Sequence, residues 1–290
     1  MILPTETVYG LACDAGNAAA VARVFEAKGR PRFNPLIAHV TGLEAARRLA
    51  ELDERAERLA EAFWPGPLTI VAPYVGGEAV SDLARAGLDT VAVRAPAHAL
   101  ARSVLETFGG PVAAPSANRS GRPSPTTYAD AVEETGAFAS AALDGGPCAV
   151  GLESTVVAVL GGEARLLRPG GVPRERLEAV AGSLLEAEAD ARRSPGRLVR
   201  HYAPDTPLRL DAGEPLPGEA YLAFGRAPEG AEVWNLSPAG DLREAAANLF
   251  ACLRAADRSG MAAIAVAPIP EGGLGEAIND RLRRAAGRVG

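Results

Sequence analysis

The chain has 290 residues, 48% hydrophobic and 23% charged, with a formal net charge of −6. That length favours two domains, and the composition is that of an ordinary globular chain, which excludes disordered and collagen-like classes. The acidic balance argues against gripping nucleic acid through a general basic surface, because phosphate binding is largely counterion release by clustered Lys and Arg.

MILPTETVYGLACDAGN opens with extended character and ends in Gly, Asp and Asn turn signals. Asn17 then caps a helix expected to run through Lys28, with Val21, Val24 and Phe25 at helical spacing and Gly29 at its stop. Leu36 to Val40 reads as a buried strand with Leu36, Ala38 and Val40 on one face and Ile37 and His39 on the other. Thr41 and Glu44 have the spacing of a capping box, and a further helix is expected from Asp53 to Phe63, stopped by Trp64-Pro-Gly-Pro. Strands follow at Leu68 to Tyr74 and Thr90 to Ala95, the second placing Thr90, Ala92 and Arg94 on one face. Pro111 to Ala114 is a short strand leading into PSANRSGRPSPTT, a loop too rich in Pro, Ser and Gly to be regular.

Thr155 to Leu160 and Ala164 to Arg168 flank Gly161-Gly162 as a hairpin, and Pro173 to Arg193 is expected to be helical. SPGRLVRHYAP, Ser194 to Pro204, has proline near both ends and little periodicity, as a linker would. Beyond it, strand-like Pro207 to Leu210, Ala220 to Phe224 and Ile264 to Ala267 alternate with helical Asp241 to Asp257 and Leu274 to Ala286. That order suggests a small α/β second domain with a parallel or mixed sheet.

Cys13, Cys148 and Cys252 are odd in number and far apart, so buried thiols are expected rather than a disulfide framework or a structural zinc site. No apolar run approaches the roughly 20 residues of a membrane span, and the N-terminus lacks the regions of a signal peptide, so a cytoplasmic protein is expected.

Strand-end loops of the first domain gather Thr5, Glu6 and Thr7; Lys28, Arg30, Arg32 and Asn34; His39; Thr90 and Arg94; Ser116, Asn118, Ser120 and Ser124; Glu153 and Ser154; and Arg168. Cations, hydroxyls and a histidine suit a polyanionic ligand, because Arg forks onto phosphate or carboxylate and Lys supplies a point charge. Lys28 is the only lysine in a chain whose Lys and Arg total is 30. Taken singly, Arg94 reads as a surface ion pair and His39 as a hydrogen-bonded core residue; only the set carries weight. No G-x-x-x-x-G-K-[ST], nucleophile elbow, H-E-x-x-H or Asp-rich metal loop is present, and GGLG at Gly272 to Gly275 reads as the start of a helix.

PTETVYGL (Pro4 to Leu11), KGRPRFNPLIAHV (Lys28 to Val40), TVAVRAP (Thr90 to Pro96), APSANRSGRPSPT (Ala114 to Thr126), ESTVV (Glu153 to Val157) and LLRPGG (Leu166 to Gly171) together resemble the YrdC-like domain of the threonylcarbamoyl-AMP synthase family. SPGRLVRHYAP resembles the linker of its two-domain form, and NLSPAGDLREAAANLF with GLGEAINDRLRRAA resembles that form's C-terminal domain. The resemblance implies an α/β fold: a YrdC-like twisted mixed sheet with flanking helices and a concave basic pocket over 1–190, a linker and lid over 191–205, and a small Rossmann-like α/β domain over 206–290. It implies a nucleotidyltransferase that joins L-threonine, bicarbonate and ATP into threonylcarbamoyl-adenylate and pyrophosphate. A separate transferase complex would then use the product to modify tRNA beside the anticodon. By motif, Thr7, His39, Arg94, Ala114 and Ser154 would hold threonine. Lys28, Arg30, Asn34, Thr90, Ser116, Asn118, Ser124 and Arg168 would hold ATP, with Tyr202 closing over it and Lys28 and Arg30 neutralising charge on the reacting phosphates. Mg²⁺ would arrive with ATP rather than on a protein motif, and neither stable nucleic-acid binding nor a membrane is expected.

Two departures accompany the resemblance. The helix and strand usual before PTET are missing, which implies either a misassigned start or a sheet lacking an edge element, and Ala12 replaces a usual glycine, which implies a methyl crowding the backbone near threonine. An RNA-binding module remains a rival reading, disfavoured by the acidic total. Carbamoyl transfer of the hydrogenase-maturation kind is another, but it goes with zinc-finger cysteine pairs and extra domains that this chain does not show.

Overall fold

The computed structural model describes residues 1–187, 201–228 and 232–287. Its first part contains β1 (Ile2–Leu3), β2 (Gly10–Leu11), β3 (Cys13–Asp14), α1 (Ala18–Lys28), β4 (Ile37–His39), α2 (Leu43–Arg47), α3 (Glu54–Phe63), β5 (Leu68–Pro73), α4 (Asp82–Arg85), β6 (Thr90–Arg94), α5 (Ala99–Phe108), β7 (Val112–Ala113), α6 (Tyr128–Thr135), β8 (Thr155–Leu160), β9 (Glu163–Arg168), α7 (Arg174–Ala181) and β10 (Leu185–Glu186). The second contains β11 (Leu208–Arg209), β12 (Glu219–Phe224), β13 (Val233–Ser237), α8 (Leu242–Asp257), β14 (Ala263–Val266) and α9 (Leu274–Ala285).

The large sheet is mixed, in the order β10-β9-β8-β5-β6-β4-β7-β3, and β1 and β2 form a separate antiparallel pair. Its two faces differ because side chains alternate along each strand. Leu68, Ile70, Val91, Val93, Ala38 and Val157 face a core shared with α1 and α3, where Val21, Val24, Phe25, Leu59 and Phe63 meet them. Burying each of these larger side chains contributes about 1.5–3 kcal/mol. The other face is apolar only at its floor, with Ile37, Val71, Ala92, Val156, Ala158 and Leu167. His39 and Arg94 continue that face beyond the floor and are register partners in the parallel β4–β6 pair.

The second sheet is entirely parallel, in the order β11-β14-β12-β13. Its core also takes in Val8 and Leu152 from the first part of the chain, together with Tyr202. The two parts meet so closely at Gly151 that a Cβ there would lie 2.4 Å from the Ala247 Cα, and its φ of +70° favours glycine as well. The second domain therefore packs directly against the first beside the residues Val8, Leu152 and Tyr202.

Several local expectations change. Asn17 and Asp53 cap their helices as expected, accepting from the Ala20 and Ala56 amides. Thr41 does not, because α2 starts one residue later with Gly42 at its N-cap and no side-chain bond. The helix expected from Pro173 to Arg193 stops at Ala181, where Gly182 turns the chain with a φ of +73°. Of the expected linker, 194–200 lies outside the described residues, as does 188–193 at the end of that helix. The Ala12 methyl packs in a cluster with Leu3, Leu105 and Val112, and the residue does not line the polar cavity.

Candidate active site

One cavity brings the polar set together: Thr7, Arg30, His39 and Arg94 meet Ala114, Ser116, Glu153, Ser154, Arg168, His201 and Tyr202. The side that carries His39 and Arg94 is built on strands. The β4–β6 register sets His39 beside Arg94, and the antiparallel β4–β7 register sets Val112 opposite His39. The Arg94 guanidinium is 4% exposed and uses every nitrogen: Nη2 donates to Glu6 Oε1 at 2.6 Å, Nη1 to Thr7 Oγ1 at 2.9 Å and Nε to the Gly66 carbonyl at 3.1 Å. The other Glu6 oxygen accepts from the Ala97 amide at 3.0 Å. Burial alone would push the Glu6 carboxyl up, but Arg94 outweighs it and holds the group below the usual carboxylate value. His39 is pushed down to about 3 by burial and by the nearby Arg94 charge, so the ring is neutral at physiological pH, with one donor and one acceptor nitrogen. Its Nδ1 lies 3.2 Å from the Ile37 carbonyl oxygen.

The other side combines loops with the end of β9. Arg30 follows the left-handed Gly29 that ends α1, and its Nη2 donates to the Pro35 carbonyl at 3.1 Å. Burial lowers it to about 10, which still leaves it charged. Arg168, at the end of β9, donates through Nη2 to the Ser154 carbonyl at 2.8 Å, while the Ser154 hydroxyl pairs with Thr69 Oγ1 at 2.7 Å. Glu153 accepts from Ser124 Oγ at 2.5 Å and from Arg281 Nε at 2.8 Å. Arginines thus outnumber carboxylates around the cavity, and the local field suits an anion although the whole chain is acidic.

His201 and Tyr202, both buried, complete the lining, and their rings meet edge-on at 4.0 Å. Tyr202 holds a φ of +62°, uncommon for a bulky residue, and packs on Phe250 of α8 at 5.6 Å. The segment is pinned at both ends: the Ala203 amide donates to Gly121 at 2.7 Å and the His201 amide to Arg284 at 3.3 Å. The remaining free volume is about 50 Å³, well below the roughly 300–1,000 Å³ of small-molecule pockets. A ligand of ordinary small-molecule size therefore needs the cavity to open. A groove of about 430 Å³ at the domain junction is larger, but its only charged lining residues are Arg176 and Arg243.

All five residues expected to hold threonine line the cavity, as do Arg30, Ser116, Arg168 and Tyr202 of the nucleotide set. Lys28, Asn34, Thr90, Asn118 and Ser124 do not. Lys28 is 3% exposed, and its ammonium donates to the Ser116 and Asn118 carbonyls rather than facing the cavity. Burial lowers its pKa well below the usual lysine value, and the Arg30 charge adds to that. Asn34 offers Arg30 its carbonyl at 3.3 Å, Asn118 Nδ2 donates to the Arg119 and Arg122 carbonyls, and Ser124 is spent on Glu153. Thr90 sits at the Pro73 end of β6, about 13 Å along the strand from Arg94. Residues that the motifs did not single out also shape the cavity: Val8, Pro35, Ile37, Pro115 and His201 line it.

Comparison with known proteins follows the same division of the chain. A family model described as "Telomere recombination" matches residues 1–170, and one described as "Threonylcarbamoyl-AMP synthase, C-terminal domain" matches 172–287. The chain is 42% identical to the threonylcarbamoyl-AMP synthase of Pyrococcus abyssi, over 98% of this chain and 89% of that one. It is 38% identical to the enzyme of the same name from Bacillus subtilis, over 98% and 88%. A crystal structure of P. abyssi Sua5 complexed with L-threonine superposes with a TM-score of 0.90 at 41% identity, covering 99% of this chain and 90% of that one.

Proposed function

The chain belongs to the threonylcarbamoyl-AMP synthase family, and from that premise we propose that it joins L-threonine, bicarbonate and ATP into L-threonylcarbamoyl-adenylate, releasing pyrophosphate. The observation that carries this reading is the single cavity that gathers His39 and Arg94 from paired strands, with Thr7 bonded to Arg94, together with Arg30 and Ser116 from loops and Arg168 from the end of β9. An amino acid and a triphosphate can lie there side by side once the lid moves.

Threonine's carboxylate goes to Arg94, which is already oriented by Glu6 and Thr7. Ser154, the Ala114 backbone and the neutral His39 serve its amine and hydroxyl. The amine attacks the bicarbonate carbon with loss of water, and the resulting carbamate oxygen attacks the α-phosphorus in line with departing pyrophosphate. No covalent enzyme intermediate is needed, because well-oriented reactants gain about 7–11 kcal/mol from positioning alone. Arg30 and Arg168 neutralise charge growing on the phosphates. Lys28 contributes by fixing the Ser116 and Asn118 backbone, a task for a compact ammonium rather than a broad guanidinium. Asn34, Asn118 and Ser124 support the nucleotide side from behind, through Arg30, the loop backbone and Glu153, and Tyr202 closes over it, whereas Thr90 lies too far along β6 to join them.

Glu6 and Glu153, the carboxylates of this region, are each paired with an arginine. Mg²⁺ therefore enters with ATP, held by phosphate oxygens and water. Among the described residues no group of three His, Cys, Asp or Glu is placed to hold a metal. We place the protein in the cytoplasm, supplying its adenylate to a separate tRNA-modifying transferase. Among the described residues no helix is long and apolar enough to cross a membrane.

The test is incubation with ATP, bicarbonate and labelled threonine. Pyrophosphate and a labelled adenylate should appear together, and omitting bicarbonate should abolish both. Pyrophosphate release that ignores threonine, or salt-dependent RNA binding without ATP consumption, would contradict the proposal.

A further inference from the structure

Arg281 lies on α9 of the second domain, yet it is fully buried against the first. Its Nε donates to Glu153 Oε2 at 2.8 Å, and its Nη1 to Asp280 at 2.7 Å. Its guanidinium carbon stands 5.1 Å from the centre of the Tyr202 ring. Glu153 itself lines the cavity, and its second oxygen holds Ser124 of the loop between β7 and α6. One side chain from the second domain thereby meets both the carboxylate that holds Ser124 of that loop and the Tyr202 ring that lines the cavity. The pairing is not a surface ornament: Glu153 is 6% exposed and Arg281 0%, a setting in which an unpaired charge is costly.

We propose that Arg281 is a positioning residue for the synthase reaction, through which the second domain orients Glu153 and Tyr202 and so completes the nucleotide side of a site carried by the first domain. It touches neither substrate. Its effect passes through Glu153 to Ser124 on one side and through the Tyr202 ring on the other, so ATP should feel it far more than threonine, which is held by Arg94 across the cavity.

The groups facing Glu153 come from every element packed around it: Arg281 and Asp280 of α9, Ser124 of the loop, Arg168 of β9, Lys28 of α1, and His201 and Tyr202 of the lid. Burial alone would push the Glu153 carboxyl up, and Arg281 leads the groups that hold it below the usual carboxylate value. Without Arg281 the carboxylate takes up a proton at higher pH, and Ser124 loses its charged acceptor.

The test uses the full chain with Arg281→Met and Arg281→Lys, measuring KM for ATP and for threonine and the pH profile of kcat/KM for ATP. Arg281→Met should raise KM for ATP about tenfold, leave KM for threonine within about twofold, and move the acidic limb of the profile to higher pH. Arg281→Lys keeps a cation beside Glu153 but loses the fork, so the limb should stay in place while KM for ATP rises about threefold. A folded Arg281→Met with both KM values and the profile unchanged, its loss confined to melting temperature, overturns the inference, as does an equal rise in both KM values. If Arg281→Met does not fold, Arg281→Lys decides alone, and an unaltered KM for ATP overturns it. The inference rests on the proposed reaction, and the two fail differently: a wild-type protein that makes no adenylate sinks the reaction, whereas an active enzyme indifferent to residue 281 sinks only this role.

Discussion

The two walls of the cavity are made differently. His39 and Arg94 stand on hydrogen-bonded strands, so their separation is set by β-sheet register and Arg94 is oriented by close neighbours. The facing wall is the loop from Pro115 to Thr127, which has little regular structure and is tied down one carbonyl at a time. Lys28 holds Ser116 and Asn118, Thr135 Oγ1 donates to Ala117 at 2.9 Å, and Arg254 of α8 donates to the Pro123 carbonyl. Glu134 accepts from the Arg119 amide and from Arg254, both at 3.0 Å. On the proposed reading, the strand-held residues serve threonine and the wall assembled from distant ties serves ATP, which is why the second domain should matter more to the nucleotide.

Breaking the strand-built wall should cost most. Arg94→Met leaves Glu6 buried without its cation, and removing one partner of a buried ion pair typically costs about 3–5 kcal/mol. Denaturant unfolding should show a loss of that order together with the disappearance of threonine-dependent turnover. A stable variant with normal turnover would mean that Arg94 is not the anchor.

A smaller effect separates the lid from the strand wall by pH. His39 and His201 are both held down at about 3, by burial first, whereas an unfolded histidine protonates near 6.5. The unfolded chain therefore binds more protons below that value, and stability should fall as pH drops from 6.5 toward 3. Glu6 and Glu153, lowered from 4.5, add to the loss only at the acid end of that range. Between pH 6.5 and 5 the slope belongs to the histidines, and His39→Asn should reduce it in urea titrations across that interval. A slope unchanged by His39→Asn would show that His39 is protonated in the folded protein.

The strand-built wall was legible in the sequence because a two-residue period places Ile37 with His39, and Ala92 with Arg94, whatever the rest of the chain does. Hairpin geometry at Gly161-Gly162, with φ of +59° and +80°, was legible for the same local reason. The assembled wall was not. The motifs bring Lys28 and Asn118 to one region, but that an ammonium should point at loop carbonyls instead of a ligand depends on a fold-level approach across 90 residues. Arg254 and Arg281 meet partners 120 and 128 residues away, and both sit in helices whose amphipathic pattern alone reads as ordinary. The second domain's contribution was hidden for that reason. Where local signals failed outright, they failed at helix ends: Thr41 had the capping spacing without the geometry, and Gly182 ended a helix that the apolar spacing would have continued.

On the proposed reading, one cavity holds both substrates between walls of separate construction. The most direct test of that claim is calorimetric binding of threonine and of a non-hydrolysable ATP analogue to the wild type, Arg94→Met and Arg254→Met. Arg254 lines no part of the cavity and ties the loop from behind. Arg94→Met should abolish threonine binding while leaving the analogue within about threefold, and Arg254→Met should weaken the analogue about tenfold with threonine unchanged. If each variant weakened both ligands equally, the two walls would be one structural unit and the claim would be wrong.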